Sequence, residues 1–180
     1  MNKLIKQKSN KGFTLVETLV AISILMIAIV APMTIVQNGL TAAGYAKQQM
    51  IADFLAQEAL EYVKYTRDIN GLADKNTTGA GGTVDNWLSG LNECVSPSYC
   101  IIDPVTNKVM INNNEPLYYY DGLYQYNSVG GSAAVTPFTR KLTIVKNYKN
   151  EDQAKVTVIV DWTGKNSGQV IIDYYILNWR

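Results

Sequence analysis

Hydrophobic and polar positions fall along this chain in three regimes. From Phe13 to Val36 (FTLVETLVAISILMIAIVAPMTIV) the sequence is apolar on nearly every face, and Glu17 is its only charged residue. A helix needs ~20 apolar residues to cross a bilayer core, so this run predicts a membrane-spanning helix with room to tilt. From Gln37 the apolar density drops. Met50, Ile51, Phe54, Leu55, Leu60 and Val63 then recur at mixed three- and four-residue steps, with Asp53, Glu58, Glu61 and Lys64 on other faces. That spacing predicts an amphipathic helix continuing to about Arg67. Towards the C-terminus the period becomes two. In Lys155–Trp162, residues Val156, Val158, Val160 and Trp162 share one face, opposite Lys155, Thr157 and Asp161. With Phe138–Lys146 and Val170–Trp179 this predicts an antiparallel meander covered on one side. The expected fold class is α+β: a long N-terminal helix, membrane-spanning in its first half, packed on a C-terminal antiparallel sheet.

Shorter signals lie between helix and meander. Asn70–Gly82 is glycine-rich without apolar periodicity and reads as a loop. Trp87, Leu88 and Leu91 predict one helical turn packed on the core. Leu117–Tyr126 (LYYYDGLYQY) predicts a hairpin turning at Asp121-Gly122, a pair suited to a type I′ turn. Its tyrosines fit a half-buried sheet with hydroxyls reaching water, or alternatively a platform for sugars or bases.

Charge sharpens the membrane reading. The 180 residues hold 16 Lys+Arg and 15 Asp+Glu, for a net charge of +1. Four of the lysines, Lys3, Lys6, Lys8 and Lys11, sit in the acid-free segment Met1–Gly12. A basic flank before an apolar span predicts a cytoplasmic N-terminus with the remainder outside. A cleaved Sec signal fits less well, because its apolar region is normally ~7–15 residues and here the small residues Ala42, Ala43 and Gly44 come late.

Within the span, Glu17 is costly. A carboxylate costs roughly 2.5–3.5 kcal/mol near the centre of a membrane helix and less near its end, so Glu17 either snorkels to the headgroups or has a partner. Pro32 lacks an N–H and leaves the Ala28 carbonyl without its helical donor. Gly39 and Gly44 each weaken the helix by about 1 kcal/mol relative to Ala. Ala28–Gly44 is therefore expected to be the least stable helical segment.

Composition excludes much chemistry. With no histidine and two cysteines, Ser-His-Asp and Cys-His nucleophiles, His-ligated metals and four-thiolate zinc sites are ruled out. The charge balance gives no footprint for nucleic acid, and no phosphate-binding, dinucleotide, serine-hydrolase or zinc-protease motif occurs. Asp68-Ile-Asn70-Gly71-Leu-Ala-Asp74 superficially suggests a calcium loop, but the required Gly and closing acid are missing from their EF-hand positions. Asp161 and Asp173, on neighbouring predicted strands, are the one candidate carboxylate pair, and exposed strand positions explain them better. The chain reads as no enzyme, with no catalytic residues, metal site or cofactor. Export to an oxidising compartment predicts a disulfide between Cys94 and Cys100, with two buried thiols as the alternative. Closing that loop is worth roughly 2.4 kcal/mol in the chain-entropy model.

Lys11-Gly12-Phe13-Thr14-Leu15-Val16-Glu17 resembles the processing signature of type IV prepilins and type II secretion pseudopilins. The resemblance covers about 25 residues directly. It implies cleavage by a dedicated peptidase between Gly12 and Phe13, N-methylation of Phe13, and an assembly role for Glu17. The new Phe13 ammonium would lie close to Glu17, and in staggered subunits Glu17 of one copy would meet the amine of the next. Such a pair in low dielectric sets register, because an unpaired Glu17 is penalised. The implied organisation is a basic leader at 1–12, a transmembrane and assembly helix at 13–36, an amphipathic continuation at 37–67 and a pilin-like head at 68–180. In pilins a stretch like Pro32 to Gly44 is associated with local melting inside the filament. Implied partners are the prepilin peptidase/methylase, other pilin or pseudopilin subunits, an inner-membrane assembly platform and membrane lipid. A single-pass membrane-anchored binding module is the alternative. Some pseudopilin heads also bind calcium.

Overall fold

The computed structural model describes residues 12–77, 87–111, 114–126, 133–147 and 152–178. The leader before Gly12, positions 78–82 of the expected loop and Trp179 therefore lie outside the described residues. The chain divides into two compact units, Met1–Ala43 and Gly44–Arg180.

Helix α1 spans Leu15–Thr77. In the first unit it is bare: the apolar window that qualifies it to cross a membrane has none of its residues buried. Helical assignment runs through Pro32 without a break. Its hydroxyls satisfy themselves locally. Ser23 Oγ donates to the Leu19 carbonyl at 2.8 Å, Thr34 Oγ1 to Val30 at 3.0 Å and Thr41 Oγ1 to Gln37 at 3.0 Å. Back-bonding of this kind lets Ser and Thr sit in an apolar solvent without an orphaned donor.

In the second unit the helix buries Ala52, Leu55, Ala56, Ala59, Leu60 and Val63. These positions follow the i, i+3, i+4, i+7 rule. Of the face expected from sequence, Leu55, Leu60 and Val63 are buried and Ile51 packs against the core, while two positions fall outside it. Met50 and Phe54 are 60% and 63% exposed, because the alanines, weak as apolar signals, form the seam instead. The helix also outruns its expected end at Arg67. Asn70, taken from sequence as the start of a loop, is helical, and its Nδ2 donates to the carbonyls of Trp87 and Ser89 at 3.1 and 2.9 Å. That tertiary contact outweighs the weak helix propensity of Asn70 and Gly71.

A five-stranded sheet has the order β2-β1-β6-β7-β8, with β1 at Cys100–Asp103, β2 at Lys108–Ile111, β6 at Phe138–Lys146, β7 at Gln153–Trp162 and β8 at Gly168–Leu177. All its pairings are antiparallel. Strands β6–β8 are the expected meander, with β8 ending at Leu177. On β7, Ala154, Val156, Val158, Val160 and Trp162 are all buried, the alternation read from sequence. Strands β1 and β2 were not foreseen, being only four residues each. A smaller sheet, β4-β3-β5, joins Leu123–Gln125, Tyr118–Tyr120 and Ala134–Val135. Its β3–β4 turn has Asp121 at φ 49° and Gly122 at φ 81°, the two positive angles a type I′ turn requires. Trp87, Leu88 and Leu91 are buried as expected, in a turn that leads into a 3-10 helix at Asn92–Cys94.

Two features hold the head together. Trp162 is 2% exposed and stacks obliquely between Tyr45 on the helix and Phe138 on β6, with ring centroids at 5.8 and 6.5 Å. Its Nε1 donates to the Asn166 carbonyl, and the space over its ring is that left by Gly168, where a Cβ would fall inside the indole. The second is Arg140, on the core face of β6 and 1% exposed. Its Nη1 donates to the Leu55 carbonyl at 2.8 Å and to Glu58 Oε2 at 2.6 Å, while Nη2 donates to the Ile102 carbonyl at 2.6 Å. One guanidinium thus ties α1, β1 and β6.

Arg140 is buried but the Glu58 side chain is 38% exposed, so removing Glu58 leaves one donor of a carbonyl-bound guanidinium short of its partner, at a cost of about 1–3 kcal/mol. Glu58→Ala should therefore lower head stability by about that much in a denaturant titration followed by near-ultraviolet circular dichroism, with Glu58→Gln losing less. Gly168→Ala should destabilise by about 1–3 kcal/mol through overpacking against Trp162, read as a fall in thermal midpoint.

Candidate processing and assembly segment

The helix begins with a recognisable start signal. Thr14 is its N-cap: Thr14 Oγ1 accepts the Glu17 backbone N–H at 3.3 Å, and the Thr14 carbonyl accepts the Thr18 N–H at 3.2 Å. Thr14-x-x-Glu17 has the spacing of a capping box, with an acid in the first turn where the helix dipole favours negative charge. Gly12 and Phe13 precede the cap in non-helical backbone, and both are exposed, Phe13 by 80%. A Cβ at Gly12 would meet nothing within 4 Å. The Gly12–Phe13 peptide is accordingly open to an enzyme that needs extended substrate. Glu17 forms no ion pair among the described residues, and its place in the first turn sets its charge at the favourable end of the helix dipole.

The candidates in the head resolve differently. Cys94 and Cys100 are joined by a disulfide with Cα atoms 4.8 Å apart, and both residues are fully buried. The enclosed loop is stitched to β6 where the Ser96 N–H donates to the Ile144 carbonyl at 2.8 Å. The tyrosines of the β3–β4 hairpin pack as a chain of rings, with Tyr119 on Tyr124 at 5.2 Å and Tyr124 edge-on to Phe138 at 6.1 Å. Tyr126 is buried, its hydroxyl donating to the Arg140 carbonyl at 3.1 Å, and burial pushes that phenol above its ordinary pKa.

Asp161 and Asp173 do not form a carboxylate pair. On the β7–β8 ladder Asp161 faces Gln169 and Asp173 faces Thr157, so the register keeps them apart. Gln169 Nε2 donates to Asp161 at 2.6 Å. Thr157 Oγ1 donates to Asp173 at 2.6 Å and Lys155 pairs with it at 2.9 Å. The hydroxyl first, and then the ammonium, hold Asp173 below the usual carboxylate range. This contribution is complete at neutral pH and is lost on acidification through that lowered pKa. The Asp68–Asp74 segment is helical. Asp68 accepts from Arg67 and Asn70 is committed to carbonyls, and no group of acids suited to a metal occurs among the described residues.

The Arg140–Glu58 pair escaped the sequence reading. Its signal was the alternation Phe138-x-Arg140-x-Leu142-x-Ile144, which puts a charge in phase with the core. Asp103 was also missed. It is 2% exposed, and its carboxylate accepts from the Val105 and Thr106 N–H groups, the Thr106 hydroxyl and the Tyr126 N–H. It closes the β1–β2 turn after the Asp-Pro step.

Comparison with known families bears on the N-terminus. Residues 7–31 match the family described as the prokaryotic N-terminal methylation motif. The chain carries a type IV prepilin-like N-terminus. No curated protein and no solved structure matches the chain. The prepilin-like segment therefore spans the Gly12–Phe13 peptide, the Thr14 cap, Glu17 and most of the bare apolar helix, and the match ends before Pro32.

If Thr14 caps the helix as described, Thr14→Ala removes about 1 kcal/mol from its first turn. Amide exchange at Glu17, in the chain held in detergent micelles, should accelerate by about fivefold.

Proposed function

We propose that the chain is a structural subunit, a minor pilin or pseudopilin, of a type IV pilus or type II secretion filament. It enters the cytoplasmic membrane as a single-pass precursor with the lysine-rich leader inside and the head outside. Prepilin peptidase then hydrolyses the Gly12–Phe13 bond, and the new Phe13 amine is methylated. The observation that carries this reading is the methylation motif lying over an exposed, non-helical Gly12–Phe13 peptide directly before the Thr14 N-cap.

Assembly follows from the energetics of the bare helix. Large apolar side chains from Phe13 to Leu40 are more than half exposed within the chain, which water does not tolerate. Lipid covers them in the precursor, and the helices of other pilin or pseudopilin subunits cover them in the filament, handed over at the inner-membrane assembly platform. Glu17 then has a use. In lipid its charge is a cost, and beside the Phe13 ammonium of a neighbouring subunit it is a register device. Pro32, with the unpaired Ala28 carbonyl behind it, supplies a weak point at which the helix loosens on packing. The head, stapled by its disulfide, is suited to an oxidising compartment. The function is structural, with no catalysis.

Intact mass and N-terminal sequencing of the membrane-extracted chain test the proposal. A mature N-terminus at methylated Phe13 is expected. Glu17→Ala is expected to be cleaved and yet fail to assemble. Retention of Met1 in the wild type would sink the filament reading and leave a membrane-anchored binding module.

A further inference from the structure

The head carries an open cleft of about 530 Å³ that neither the processing segment nor the core explains. It lies wholly within the second unit, between the helix at Tyr62–Asn70, the 3-10 helix and the β1–β2 turn. Tyr62, Tyr65, Asn70, Asn92, Glu93 and Asn107 give it its chemistry, and among the described residues no lysine or arginine lines it.

Each group has hydrogen-bonding capacity to spare. The Tyr62 hydroxyl donates to Asn107 Oδ1 at 2.8 Å, so Asn107 presents its NH₂ outward. Asn107 is itself held at φ 54° by the tight turn. Asn70 has its NH₂ pinned by two carbonyls, which fixes the amide plane and leaves Oδ1 as an acceptor. Asn92 and Glu93 stand exposed at the opposite wall, a donor–acceptor amide beside a pure acceptor. Tyr65 is 61% exposed, a flat apolar face with a polar tip and few conformations to lose on binding. Burial pushes the Tyr62 hydroxyl above its ordinary pKa.

We propose that this cleft binds a neutral carbohydrate. Carboxamides and a carboxylate match the alternating donors and acceptors of adjacent sugar hydroxyls, and an exposed tyrosine face suits the C–H face of a pyranose ring. The lone carboxylate and the lack of cations disfavour an anionic ligand, whose charge would go unpaired. The volume lies within the range of small-molecule sites. The site is independent of processing at Gly12, so it stands or falls apart from the filament reading.

The test uses the full chain in lauryldimethylamine oxide, a detergent without a sugar headgroup. Maltotriose, cellotriose, chitotriose and a galactose-based trisaccharide are the probes, with sialyllactose as the anionic control and a polar hexapeptide as the competitor class. Saturation-transfer NMR should show contact to the ring protons of at least one neutral trisaccharide, ahead of sialyllactose. Tyr65→Ala and Asn92→Ala should each weaken that binding by about tenfold, the equivalent of one lost stacking or bidentate contact, while Tyr65→Phe retains it. Both side chains are exposed, so the head should remain folded by near-ultraviolet circular dichroism. Leu123→Ala, on the far hairpin, should bind as wild type. Any of three results would overturn the proposal: no neutral trisaccharide bound at millimolar concentration, binding unaffected by Tyr65→Ala and Asn92→Ala, or capture of the peptide in preference to every sugar.

Discussion

A buried guanidinium organises the head. Arg140 sits on the core face of β6, where its neighbours in phase are Phe138, Leu142 and Ile144, and an unpaired charge there would be prohibitive. Its bonds to the Leu55 carbonyl and Glu58 on the helix and to the Ile102 carbonyl on β1 set the axial position of α1 over the sheet. They add directional bonds to the apolar packing of Ala52, Leu55, Ala56, Ala59, Leu60 and Val63. A directional, multiply bonded charge has few alternative registers. Such a pair contributes specificity more surely than net stability.

The composition of the same helix changes along its length. Up to about Val36 its surface is apolar all round, its hydroxyls are turned back on their own carbonyls, and its sole charge lies in the first turn. Beyond Gly44 it becomes amphipathic, with one narrow buried stripe and charges outside it. A soluble helix needs only the second arrangement, and a membrane helix only the first. Both occur in one element, Leu15–Thr77.

Around that scaffold the local devices are short-range. The disulfide pins the loop between the 3-10 helix and β1 against β6, the Asp103 carboxylate closes the β1–β2 turn, and Asp121-Gly122 turns the tyrosine hairpin. Each satisfies backbone groups that a small sheet with short outer strands would otherwise leave to water. Tyrosine rings from the hairpin continue into Phe138 and Trp162, so aromatic contact links the small sheet to the large one.

Much of this was determined by sequence alone, where physics acts over a few residues. The apolar run, the lysine block, the Asp-Gly turn and the period-two strands depend on spacing, and spacing is visible in a chain before it folds. The prepilin-like N-terminus is linear for the same reason: a peptidase reads extended chain. Tertiary structure decided what depends on distant partners. The helix runs past Arg67 because Asn70 finds carbonyls at Trp87 and Ser89, and its buried face takes in Ala52, Ala56 and Ala59, whose small side chains carry little apolar signal in the sequence. Asp161 and Asp173 are kept apart by a ladder register that no local signal encodes. Arg140 and Glu58, 82 residues apart, could not be paired from sequence, because low dielectric makes their attraction decisive only once the core has closed around them.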